Sequence, residues 1–266
     1  MDYSALIKKL KTRRNIVLLI GCIVLCCITL QFIRFYMLFK GLHIKDIVSY
    51  EMLFPLFAIS FWLVAFFMGV AKAAVMLPIQ NSLTKECDPE KYMVLSAEFA
   101  KTSKLDLAYA TSLIFMGDFR KAVYHAERLT FNKRYAATGA FNKARCEFFM
   151  GEFDAMRKTI QQYDYVASSI KMNEKKRVAT EKIKKVLELM IALSENDKEK
   201  IELYRHEISV WNEGKAIECF IYYMKGLAAY KLEDRDECLY RFMYVKENGP
   251  KTFFGRSAAE YLSKLN

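Results

Sequence analysis

The chain has 266 residues, 53% of them hydrophobic, and a formal net charge of +11. Such an apolar composition excludes a disordered protein. The basic balance admits an anionic membrane surface or nucleic acid. However, no glycine-rich RNA-binding motif, zinc-finger spacing or basic zipper region accompanies it, so no nucleic-acid partner is expected.

The charge is unevenly placed along the chain. Residues 1–14 form a basic tail, with Lys8, Lys9, Lys11, Arg13 and Arg14 against Asp2. Residues 15–39 are predicted to be the first membrane-spanning helix, since Ile16 to Ile33 is broken only by Gly21, Thr29 and Gln31. A helix of about 20 residues covers the hydrocarbon core of a bilayer, about 30 Å. The tail and apolar run also fit the start of a signal peptide, and Leu19-Ile20-Gly21-Cys22 resembles a lipoprotein cleavage box. The run continues through Ile23-Val24-Leu25, where a cleaved leader turns polar, so a retained span is expected. Residues 40–50 form a short external loop, and residues 51–79 a second span. Pro55 falls in its first turn, where a missing N–H costs little. Lys72 lies near its end, where a lysine snorkels to the interface.

Orientation follows from the cations. The tail carries five, whereas the connection sets Arg34, Lys40 and Lys45 against Asp46 and Glu51. The positive-inside rule places the tail, and after two spans also residues 80–266, in the cytoplasm. The expected localisation is a cell membrane, multi-pass with two spans and both termini cytoplasmic.

Residues 80–266 are charge-rich and helical in period. Asp88-Pro89-Glu90 reads as an N-cap, a proline at the first helical position and an early acid. No segment alternates with a period of two, so the predicted class is all-α. The segment Phe115-Met116-Gly117-Asp118-Phe119 recurs as Phe149-Met150-Gly151-Glu152-Phe153, with the two glycines one 34-residue period apart. Ala110 and Ala122 flank the first turn, and Ala144 precedes the second. A later unit has Gly226, Cys238, Phe242 and Pro250 at corresponding places, though its turn, Glu233-Asp234-Arg235, lacks the glycine and the aromatic.

These residues resemble the tetratricopeptide repeat, in which two antiparallel helices meet at a tight turn and small residues sit at their close approach. Residues 103 to 250 carry the resemblance. The stretch from Lys175 to Leu193 and from Lys198 to Trp211 does not hold the 34-residue register, and Phe253 to Leu265 reads as a capping helix. The resemblance implies an α-solenoid of antiparallel helix pairs whose first helices line a protein-binding groove. By register, the groove would hold Leu107, Thr111 and Ile114, then Phe141, Arg145 and Phe148, then Tyr223, Leu227 and Tyr230.

Candidate chemistry is sparse. His43, His125 and His206 are far apart in sequence and read as packing or surface residues. No P-loop, Gly-x-Ser-x-Gly or dinucleotide fingerprint occurs. No enzyme activity, cofactor, metal or small-molecule substrate is expected. Cys87, Cys146, Cys219 and Cys238 stand at wide spacing without a CxxC and read as small buried apolar residues. The basic stretch Lys171, Lys175, Lys176, Arg177, Lys182, Lys184 and Lys185 reads as a solvated helix face or as a contact with anionic lipid or an acidic partner. The expected function is a membrane-anchored scaffold or adaptor that binds a protein partner on the cytoplasmic face. The alternative is a non-catalytic subunit of a larger membrane transport or secretion assembly, for which the isolated Gly21 and Gly69 offer little helix-packing support.

Overall fold

A computed structural model describes residues 3–41, 50–100, 102–169, 173–209 and 214–265. The described residues form twelve α-helices and no strand. Residues 42–49 of the expected external loop, including His43, lie outside them, as do Lys171 and Trp211. The chain divides into two compact units, Met1–Pro78 and Ile79–Asn266.

The first unit contains α1 (Ser4–Gly41) and most of α2 (Tyr50–Thr84). Both helices are long and apolar enough to cross a membrane. The segment expected as a basic tail is itself helical from Ser4 onward. Its lysines, arginines and leucines are good helix formers, and no glycine or proline interrupts them before Gly21. On α1, Leu10 is buried and Val17, Gly21, Val24 and Ile28 are half-buried, at helical seam spacing. On α2, Ala71 and Val75 are buried. At the crossing, a Cβ placed on Gly21 would stand 2.8 Å from the Phe67 ring, so only a glycine lets the two helices approach so closely there. Many of the described apolar side chains are exposed, among them Ile16, Leu19, Ile20 and Ile23 on α1 and Phe61, Trp62 and Phe66 on α2. Apolar surface left in water costs about 25 cal/mol per Å², and a contiguous belt of it suits a lipid solvent rather than water.

The second unit is built from helix pairs. After α3 (Pro89–Phe99) come α4 (Thr102–Met116) with α5 (Phe119–Thr130), then α6 (Ala136–Met150) with α7 (Phe153–Ser169). α8 (Glu174–Glu195) pairs with α9 (Lys198–Glu207), and α10 (Lys215–Lys231) with α11 (Arg235–Asn248), before the final α12 (Phe253–Leu265).

One turn geometry joins the two helices of every pair. Gly117, Gly151, Asn196 and Glu233 each adopt positive φ, at 89°, 76°, 56° and 62°. The next residue is always acidic: Asp118, Glu152, Asp197 or Asp234. Its N–H reaches back five residues to a carbonyl of the preceding helix, Leu113, Glu147, Ala192 or Ala229, at 2.9–3.1 Å. This is a Schellman closure, which satisfies carbonyls that the helix end leaves unpaired. Three of these acids then cap the next helix, with Asp118, Asp197 and Asp234 accepting from the N–H of Lys121, Lys200 and Glu237. The third pair, which does not keep the 34-residue register, therefore uses the same turn at Asn196-Asp197. Asparagine enters the left-handed region more readily than most non-glycine residues.

Packing is mostly between neighbours in sequence, from α3 through α7 and from α10 through α12. Close approaches use small residues. Gly139 of α6 lies against the α5 backbone at Ala126, and Gly226 of α10 lies under the Phe242 ring of α11. The last helix departs from neighbour-only packing, because α12 contacts α10 and also α4. Phe254 packs among Phe115, Phe149, Phe220 and Tyr223, with ring centroids 5.2–5.5 Å apart. Phe253 meets Phe119 at 5.0 Å.

Candidate functional site

The nine residues assigned to a groove fall into three groups. Ile114, Phe141, Arg145 and Tyr223 are buried, while Leu107, Thr111, Phe148 and Leu227 are half-buried. Tyr230 is 40% exposed. The burial comes in part from α12. Tyr223 packs on Phe253 and Phe254 and donates to or accepts from Ser257 Oγ at 2.8 Å, and Tyr230 packs edge-on against Tyr261. The chain's own last helix thus packs on two of the nine residues that the resemblance assigns to a partner, Tyr223 and Tyr230.

Tyr230 also lines an open cleft of about 680 Å³. The cleft lies where the α8–α9 turn, the α10–α11 turn and the end of α12 converge, and it presents Lys198, Lys231, Arg235 and Lys264 beside Glu233 and Asp234. Lys198 pairs with Glu233 at 3.0 Å, and Asp234 pairs with Arg205 at 2.7 Å. Arg235 donates to the Leu265 carbonyl at 2.7 Å, capping the C-terminus of α12. Lys264 lies over the Tyr261 ring at 5.5 Å. The rim therefore carries four cations and two acids, with Tyr230 as an aromatic lining residue.

Arg145 is the most unusual side chain of the core. It is 2% exposed, with its guanidinium 4.2 Å from the Phe220 ring centroid, 5.2 Å from Phe141 and 5.5 Å from Phe115. Its one hydrogen bond, to Asn142 Oδ1, is long at 3.4 Å. Nε and Nη2 have no partner among the described residues. Burial pushes its pKa down to about 10, so the charge persists at neutral pH. Three aromatic faces stabilise it through their quadrupoles.

The two described histidines are held by carboxylates. His125 Nδ1 lies 2.9 Å from Asp106 Oδ1 and its ring stacks on Tyr109, which ties α5 to α4. His206 Nε2 lies 2.9 Å from Glu202 Oε1 on its own helix. Among the described residues no cluster of three His, Cys, Asp or Glu side chains could hold a metal ion.

The basic stretch lies on the first half of α8, apart from Lys171. Lys175, Lys176, Arg177 and Lys184 are exposed, and Lys182 and Lys185 are half-buried. Arg177 pairs with Glu174 at 2.9 Å and Lys185 with Glu207 at 3.3 Å, which reduces the net positive face.

Sequence reasoning missed two features. One is the third turn, for which Asn196-Asp197 is a readable signal. The other is the return of α12 onto α4, where Arg256 donates to the Met116 carbonyl, for which residues so far apart in sequence carry no local signal. No protein-family profile, curated protein or solved structure matches the chain.

Proposed function

We propose that this chain is a membrane-anchored scaffold whose tetratricopeptide-like helix pairs bind a protein partner on the cytoplasmic side. The observation that carries the reading is the recurrence of one helix–turn–helix closure at Gly117, Gly151, Asn196 and Glu233. Repeated pairs of this kind form a surface by stacking rather than a catalytic cavity. The exposed apolar belts of α1 and α2 support the anchor, and the cations of the first helical turns support the inside orientation. Tethering raises the effective concentration of the scaffold at the membrane, so a modest affinity suffices.

With Tyr223 buried against α12, the contact offered to a partner in this reading is the exposed Tyr230 beside the cationic cleft. The exposed lysines of α8, Lys175, Lys176 and Lys184, form a second contact, toward anionic headgroups. The competing reading is a non-catalytic subunit of a larger membrane assembly. What favours it is Gly69, which has no neighbour within 4 Å of a Cβ position, beside exposed Phe66, Met68 and Val70. Such a surface accepts another helix.

Site-directed photo-crosslinking in intact membranes separates the two. A crosslinker at Tyr230 giving one reproducible protein adduct supports the scaffold. Adducts only from Gly69 and Trp62 favour the assembly subunit. Adducts from neither position would reject both.

A further inference from the structure

The two helices of the first unit cross where Gly21 meets the Phe67 ring. They run antiparallel. In a parallel arrangement the end of α1 and the start of α2 would lie about 55 Å apart. The segment 42–49 between them reaches about 30 Å at most. From the crossing, Arg14 lies about 10 Å toward the start of α1, and Lys72 about 8 Å toward the end of α2. The two cations therefore share one level, with Arg13 one residue beyond. All three are exposed. Among the described residues α1 holds no acid, and α2 holds only Glu51, at its far end.

Arg14 also interrupts the helix seam. Leu10, Arg14, Val17, Gly21, Val24 and Ile28 share one face by spacing, and of these six only Arg14 is exposed. Level with it, α2 presents Ala73 and Ala74, whose short side chains leave the guanidinium uncovered. Arg13 heads a second line. Arg13, Ile16, Ile20 and Ile23 follow one another on a single face of α1, and all are exposed. From Arg13 to Ile23 this face runs about 15 Å, half the thickness of a hydrocarbon core. The surface thus has a cation cluster at one end and an apolar strip below it.

We propose that Arg13, Arg14 and Lys72 bind the headgroup of an anionic phospholipid, with an acyl chain along Ile16, Ile20 and Ile23. The proposal rests on the reading of α1 and α2 as a membrane anchor. A cation cluster with no acid beside it draws a negative group, and an arginine donates to a phosphate through two parallel N–H bonds. The apolar strip selects a lipid over a free anion. A zwitterionic lipid brings a phosphate but no net charge, so the cluster favours an anionic headgroup. Each basic residue near a membrane surface is worth about five-fold in binding.

The test uses the full chain reconstituted in vesicles of equal phosphatidylcholine and phosphatidylglycerol. The chain is extracted in mild detergent, and its retained lipids are counted by native mass spectrometry. The wild type should retain phosphatidylglycerol over phosphatidylcholine by about tenfold. The triple substitution Arg13→Gln, Arg14→Gln and Lys72→Gln should reduce the preference below about two-fold. Substituting Lys175→Gln, Lys176→Gln and Lys184→Gln on α8 should leave it unchanged, and inorganic phosphate at constant ionic strength should not displace the lipid. Flotation after alkaline carbonate reports insertion in the same vesicles. A chain that stays inserted but retains both lipids equally overturns the proposal and leaves the anchor standing. A chain released by carbonate overturns the anchor and the proposal with it. The proposal also falls if the α8 substitutions abolish the preference, if the hairpin variant keeps it in full, or if phosphate displaces the lipid.

Discussion

Arg256 of the last helix donates a 2.8 Å hydrogen bond to the carbonyl of Met116, 140 residues earlier. Met116 ends α4, so the guanidinium satisfies one of the carbonyls that a helix C-terminus leaves open. Next to it, Gly117 leaves room for Phe253, whose ring would stand 2.7 Å from a Cβ on the glycine. A stack in which each pair touches only its neighbours would keep these residues apart. Here the last helix returns to the first pair and the aromatic core forms between them.

Phe254→Ala should therefore destabilise the helical unit by about 3–5 kcal/mol, the usual cost of deleting a buried phenylalanine. Arg256→Ala, which removes an exposed contact, should cost only about 0.5–1.5 kcal/mol. Thermal unfolding in detergent followed by circular dichroism measures both. Equal effects would mean that α12 is not held by its aromatic core.

The four shared turns differ in strain. Glu233 occupies a left-handed position where glycine is preferred, so Glu233→Gly should stabilise by about 0.5–1 kcal/mol. Losing its exposed pair with Lys198 subtracts little. Gly117→Ala should act in the opposite direction, costing about 1–3 kcal/mol from backbone strain and from the clash with Phe253. Melting temperatures of the two variants moving the same way would reject the common turn.

Arg145 makes a separate prediction. A buried charge without a counter-charge is unfavourable, and an apolar residue of similar length relieves it. Arg145→Met should leave stability unchanged or raise it, whereas Arg145→Ala should lower it by about 2–4 kcal/mol through the cavity it opens. A loss above about 2 kcal/mol in the methionine variant would show that the guanidinium has a counter-charge or ordered water holding it.

Asp88 supplies a pH dependence. Burial alone would raise its pKa. The hydrogen bonds from Lys251 and the Lys91 N–H, with the charges of both lysines, outweigh burial and hold it below the ordinary value of 3.8. A depressed carboxylate pKa means that the unfolded state binds the proton more tightly. The contribution is thus present above about pH 4 and lost as the pH falls through the folded value. Asp88→Asn keeps an N-cap but loses the ion pair, so it should cost about 1 kcal/mol at neutral pH. The gap to wild type should narrow as melts are taken from pH 5 down to pH 2.5. A gap independent of pH would show that the Lys251 pairing contributes nothing.

The proposed anchor is tested on the exposed apolar side of α1. Ile23 is exposed in the middle of the apolar run, and an arginine at the centre of a span costs about 2.5–3.5 kcal/mol on insertion scales. Ile23→Arg should increase the fraction released by alkaline carbonate, while Thr12→Arg, among the basic residues, should not. Release unaffected by Ile23→Arg would argue against α1 as a span.

Much of this protein is legible without its fold because the relevant physics is local. The apolar runs of α1 and α2 mark helices long and apolar enough to cross a membrane, and Asp88, Asp118 and Asp234 mark helix starts through hydrogen bonds to residues three positions on. Gly117 and Gly151 mark turns because few other residues adopt positive φ. Even Asn196-Asp197 obeys the same local rule, although its 34-residue register is lost. Only tertiary structure decided what packs on Tyr223 and Tyr230 of α10. Residues near Leu107 to Phe148 carry the same helical pattern whether a partner or the chain itself lies on them. The return of α12 depends on Phe254 and Arg256 meeting Phe115 and Met116 across more than a hundred residues. Such contacts form because burying apolar area outweighs the slowly growing entropy of closing long loops. That balance is set by the whole packed unit and leaves no periodicity in the chain.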